Sequence, residues 1–217
     1  MAFSAVLLGL AARWIGGRDG RAIFARVAAI LAATNVAYHF PMRFIGLDLI
    51  AARAGSPEWG SRTIDAPTRR LLLADPEFWS RIVHHWLAML IVVGLTMVWI
   101  AVRTVSRETK SSHVPESLPA GAAGGFRLIL NGVALQMLAG PWVYLQLPIA
   151  KQDALLETNV AALGALFAGI AAAIGAACVA YGPALGETLT PSGLKRRALL
   201  ATALLVTTWC CMVVVGR

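Results

Sequence analysis

The apolar residues of this chain fall into long runs separated by shorter polar stretches. Each run is roughly 20 residues long, the length of α-helix that crosses about 30 Å of hydrocarbon. The pattern predicts spans near residues 22–41, 79–102, 126–147, 157–181 and 197–215. Ahead of them, "MAFSAVLLGLAARWI" has only roughly 12 apolar residues before Arg13, about 18 Å of helix. That is short for a span and predicts a short or interfacial N-terminal helix. It also lacks the basic start and small-residue cleavage site of a signal peptide. The expected fold class is therefore all-α: a polytopic transmembrane helix bundle of about five spans plus a short N-terminal helix, one membrane domain over 1–217.

Between the spans, residues 42–78 form the longest polar stretch and 103–125 a second. Within the first, "MRFIGLDLIAARAG" reads as amphipathic and suited to the membrane interface. "DPEFW" reads as a helix start, with Asp75 as N-cap and Pro76 at the first helical position. Trp79 stands where an aromatic belt residue belongs. "TVSRETKSSHVPESLPAGAAGG" reads as a flexible linker in which His113 is merely solvated. Gly140–Pro141 falls inside a span and predicts a kink. The Ala- and Gly-rich span at 157–181, with Gly164, Gly169 and Gly175, predicts close helix contact of the kind small residues permit.

Composition agrees with this reading. The chain is 58% hydrophobic and 14% charged, against about 25% charged residues in a soluble domain. Mean hydropathy is +0.70. The net charge of +8 would suit nucleic acid, but its placement reports topology instead. The segments at 1–21, 103–127 and 182–197, with Arg26, carry 11 Lys and Arg against 4 Asp and Glu, and the opposite side carries 8 against 7. Excess Lys and Arg mark the cytoplasmic face. The linker 103–125 is then cytoplasmic and the loop 42–78 outer. The expected location is a bacterial inner (cytoplasmic) membrane.

That topology gathers the candidate chemistry on one face. His39 ends the first span, and His84 and His85 lie near the start of the second, so all three imidazoles are expected near the outer, periplasmic face. Ionisable or metal-binding side chains inside a span are costly and mark functional sites. Imidazole ligates haem iron, copper and zinc, so all three are also metal-ligand candidates. Haem b takes two axial ligands on opposite faces of its ring. His39 from one helix and His85, or alternatively His84, from the next fit that need, since neighbouring helix positions point about 100° apart and only one of the pair faces His39. Asn35, one turn before His39, is a candidate to orient a ligand. Arg81 is a candidate to hold a haem propionate by a bidentate contact. This two-helix arrangement over residues 35–85 resembles the site type of multi-helix b-type membrane cytochromes in general, and the resemblance carries no substrate or partner.

Other polar groups have simpler explanations beside their functional ones. Gln136 and Asn131 in the third span are candidates for quinone contact or for a hydrogen-bonded network between helices. Trp142 and Tyr144 are placed to stack on a ring or to join the aromatic belt. Glu157 is placed to relay a proton or to complement a helix N-terminus. Cys178, Cys210 and Cys211 lie inside spans without a CxxC spacing and are expected to pack as small hydrophobes. No GxGxxG, Walker, HExxH or GxSxG motif is present.

These features predict a membrane subunit of an electron-transfer complex, carrying haem b near the outer face with a quinone contact. The expected partners are the lipid bilayer, other membrane-protein subunits and a periplasmic redox partner, not nucleic acid. On this reading the chain is a subunit of a membrane oxidoreductase rather than an enzyme by itself. The alternatives are a cofactor-free accessory subunit of a larger membrane complex and a small metal-handling transporter. The transporter would want broken helices in paired positions, and only residues 140–141 supply one.

Overall fold

The computed structural model describes residues 27, 31, 34, 40–53, 65–108 and 120–215, and every regular element among them is helical. The predicted N-terminal helix, nearly all of the span at 22–41, Trp59 and the middle of the 103–125 linker lie outside the described residues. The chain divides into two compact units, 1–85 and 86–217.

In the first unit, α1 (Phe40–Ala52) realises the helix expected in the 42–78 stretch. It buries Pro41, Leu49 and Ile50 and leaves Phe44 and Leu47 exposed. Next, α2 (Ala66–Ala74) starts where the Asp65 carboxylate accepts the Thr68 N–H at 2.9 Å, with Pro67 in its first turn. Leu72 is buried. One residue later α3 (Pro76–Glu108) begins as the sequence predicts. Asp75 Oδ1 accepts the Glu77 N–H at 2.9 Å, and Pro76 occupies a position whose N–H would have no helical partner anyway. Trp79 Nε1 donates to Leu73 O at 2.8 Å, which ties the start of α3 back to α2.

The second unit holds the rest of α3 with α4 (Ala120–Gln146), the short α5 (Ile149–Asp153), a π-helical turn (Ala154–Thr158), α6 (Val160–Ala184) and α7 (Pro191–Val215). Its core is made by Val98, Ala101 and Val105 of α3, Phe126 and Ile129 of α4, Ala173 and Ala180 of α6, and Leu194 and Ala198 of α7. Glycines let α3 and α4 touch backbone to backbone. A Cβ on Gly94 would lie 2.6 Å from Gly125 O, and one on Gly125 only 2.5 Å from Gly94 O. A Cβ on Gly132 would meet Ile91 at 2.5 Å. Of the three glycines expected to pack closely, Gly169 lies against Cys211 and Met212 of α7, and Gly175 is in ordinary contact with Leu204. No described atom lies within 4 Å of a Cβ on Gly164, so close contact is shown at two of the three. Polar bonds add to the seams: Trp99 Nε1 donates to Thr202 Oγ1 at 2.9 Å, and Thr208 Oγ1 to Gly169 O at 3.3 Å.

Helix ends refine the predicted boundaries. α6 begins at Val160, not 157, because the π-helical turn occupies 154–158 and Asn159 caps the new helix, accepting the Ala162 N–H at 2.9 Å. It ends in a Schellman motif. Gly186 takes φ +101°, the Glu187 N–H reaches Gly182 O at 3.0 Å, and the Gly186 N–H reaches Pro183 O at 3.2 Å. α7 begins at Pro191, six residues before its apolar run, so Lys195, Arg196 and Arg197 ride on its first turns. α4 is one helix through Pro141.

Four of these helices are long and apolar enough to cross a membrane: Pro76–Ser106, Gly121–Gln146, Val160–Ala184 and Pro191–Val215. They are the second to fifth predicted spans. Leu138, Phe167 and Trp209 are more than half exposed, as side chains are when lipid is their solvent. The chain is an all-helical integral membrane protein.

Candidate functional site

The polar chemistry of the first unit concentrates at the beginning of α3. Glu77, on its first turn, is almost fully buried, with a side chain 5% exposed. A buried carboxylate needs compensation, and Glu77 has two guanidinium partners. Oε2 accepts from Arg53 Nη2 at 2.8 Å and Oε1 from Arg81 Nη2 at 2.5 Å. Arg53 also pairs with Asp75 through Nη1. Arg81 reaches out to Asp48 of α1, Nη1 to Oδ2 at 2.8 Å. The result is a chain of five charges, Asp48–Arg81–Glu77–Arg53–Asp75, from the exposed Asp48 (69%) to the buried centre. Burial works against the Arg53 charge, but hydrogen bonds and attraction from Asp75 and then Glu77 outweigh it and raise its pKa above the usual arginine value. The negative charges of Asp75 and Glu77 also complement the positive end of the α3 dipole. This collar ties α1 and the residue after it to the start of α3.

His84 and His85 follow on the next turns of α3, three and four residues beyond Arg81, and both are half-buried. About 100° separates them around the helix axis, so they serve two different directions. Arg81, His84 and His85 are thus brought together on consecutive turns. Asn35 and His39 lie outside the described residues. Among the described residues no group of three or more His, Cys, Asp or Glu side chains is gathered as a metal site.

The quinone and network candidates on α4 do not converge. Asn131 and Trp142 share one exposed stripe but stand about 16 Å apart along the helix, while the half-buried Gln136 points roughly 140° away from Asn131. Tyr144 is half-buried, and Glu157 is exposed on the π-helical turn. Cys178 and Cys210 are exposed, and Cys211 is half-buried against Gly169.

At the other end of α4 and α6, cations meet free carbonyls. Arg127 Nε donates to Ala184 O at 2.8 Å, Arg197 Nη1 to Val179 O at 3.0 Å, and Arg197 Nη2 pairs with Glu187 at 2.7 Å. These contacts satisfy orphan carbonyls and complement the negative end of the α6 dipole.

Reading the sequence identified Arg81 but missed its partners. The i,i+4 spacing of Glu77 and Arg81 was a legible signal. Asp48 and Arg53 carried none, because only the fold brings them to α3.

The site so described belongs to a helical integral membrane protein with a buried ion-pair collar and adjacent histidines on one span. Comparison with protein-family models, curated proteins and solved structures gives no match. The functional reading rests on the residues themselves.

Proposed function

We propose that the chain is a membrane subunit of an electron-transfer complex in which His39 and one of the His84–His85 pair would hold a b-type haem near the outer face. The observation that carries this reading is the adjacent, half-buried histidine pair on α3, one turn inside a collar that fixes the start of that helix. A ligand must be held in one orientation to set a haem's properties, and the collar supplies that rigidity. When bound, the haem supplies the electron-carrying chemistry, and the chain supplies ligation, orientation and a low-dielectric surrounding. Arg81 already holds two carboxylates. Of these Asp48 is the exposed one, so Arg81 would be free to hold a haem carboxylate in the place of Asp48 while keeping Glu77. The charge asymmetry puts this end of α3 on the periplasmic side of a bacterial inner membrane. The donor and acceptor are expected on other subunits, with quinone near α4.

The test is the haem content of the full chain, purified in mild detergent after expression with ample haem supply. About one haem per chain is expected, falling to near zero in His39→Ala. A haem-free wild-type preparation would overturn the reading.

The second reading, a cofactor-free accessory subunit, is favoured by the backbone contact between α3 and α4 at Gly94 and Gly125. That seam is a scaffolding device requiring no cofactor. A complex that assembles and works normally with His39, His84 and His85 all replaced by alanine would support it.

A further inference from the structure

An open groove of about 340 Å³ runs between α4 and α6, lined by apolar side chains such as Val133 and Met137 of α4 and Ile174 and Ala177 of α6, with Tyr181 toward one end. It lies on two candidate spans. At the Tyr181 end, Arg127 reaches from α4 to the end of α6, where its Nε donates to Ala184 O at 2.8 Å. Its two Nη atoms have no partner among the described residues. The groove is therefore an apolar trough with a cation at its Tyr181 end.

We propose that this groove binds one diacyl glycerophospholipid with an anionic headgroup. The phosphate sits on the Nη atoms of Arg127, whose planar fork matches it. One acyl chain lies over Val133, Met137, Ile174 and Ala177, so that a cation beside an apolar trough meets a phosphate beside a hydrocarbon chain. Basic sites between spans take anionic lipid headgroups by the same electrostatics. A helix from a second copy would fill the trough but would leave the Arg127 charge without an anion.

The experiment is native mass spectrometry of the full chain released from detergent after titration with phosphatidylglycerol, and separately with phosphatidylcholine. Wild type should retain one phosphatidylglycerol at least five-fold better than phosphatidylcholine. Ala134→Phe, which fills the trough, and Arg127→Gln should each cut retention five-fold or more. Arg127→Lys should keep part of it, and Lys195→Gln, an exposed cation away from the groove, should leave it unchanged. Equal retention in every variant would mean annular lipid only, and equal loss in Lys195→Gln would mean non-specific charge attraction. A dimer broken by Ala134→Phe with lipid retention unaltered would give the groove to a second copy. Each of these three results overturns the proposal. If Arg127→Gln misfolds by gel filtration, Ala134→Phe decides the matter by the same reading.

Discussion

Glu77 is the residue on which the start of α3 depends, because it is the buried charge between two guanidinium groups. Replacing it with glutamine leaves Arg53 and Arg81 half-compensated. Breaking a buried pair by removing one partner typically costs about 3–5 kcal/mol. Thermal unfolding of Glu77→Gln in detergent should show a loss of that order. Asp48→Asn removes an exposed partner and should cost under about 1 kcal/mol. Equal losses would mean that the collar does not concentrate its stability at Glu77. A second residue-scale prediction concerns Asp65, whose pKa is lowered by hydrogen bonds from the Thr68 side chain and then its backbone N–H. A carboxylate depressed in the folded state adds stability above its unfolded pKa, near 4, and loses it as pH falls through the folded value. The protection of the Thr68 amide against hydrogen exchange, corrected for intrinsic rate, should therefore be constant from pH 7 to about 5 and decline below about 4. In Asp65→Ala that protection should be low throughout and show no such decline. Much of the residue scale was hidden in the sequence. Asp75 and Pro76 announce a helix start through local chemistry, whereas Arg53 and Asp48 acquire meaning only when α1 is brought to α3.

At the scale of elements, hydropathy located four described spans because lipid demands long apolar helices. It missed their ends because helices extend beyond the apolar stretch. α7 starts on polar Pro191–Ser192, and α3 runs past the predicted 102 to Glu108. The π-helical turn at 154–158 was invisible for a related reason, since no composition marks it. Glycine was only half legible. Abundance drew attention to α6, yet the tightest glycine contacts between helices are made by Gly94 of α3 and Gly125 and Gly132 of α4, where facing register rather than abundance decides. Gly94→Ala places a methyl 2.6 Å from a backbone oxygen, which no side-chain rotation relieves. It should destabilise the bundle by about 1–3 kcal/mol in a detergent-to-SDS unfolding titration. Gly164→Ala, with no contact among the described residues, should be neutral or stabilise by up to about 1 kcal/mol. The reverse order would place the α3–α4 seam elsewhere.

For the whole molecule, the proposed orientation rests on the asymmetry of 11:4 against 8:7 in Lys and Arg to Asp and Glu. With the native cysteines replaced by alanine, a single cysteine at Ser61 should react with a membrane-impermeant thiol reagent in intact cells, and one at Ser112 only after lysis. The opposite pattern would move the histidines to the cytoplasmic side. The contacts of Arg127 and Arg197 with the end of α6 belong to this same basic face. The histidine pair was legible as residue types and spacing on α3, but the proposed haem site also needs His39, which lies outside the described residues. The account therefore stands on one measurement, the reduced-minus-oxidised absorbance spectrum of the purified chain and its single alanine variants at His39, His84 and His85. It predicts the sharp α-band of a low-spin b haem in wild type, its disappearance in His39→Ala, and its disappearance or a marked change in one of the other two. A full, unaltered haem spectrum in all three variants, or no band in a haem-replete wild-type preparation, would contradict it.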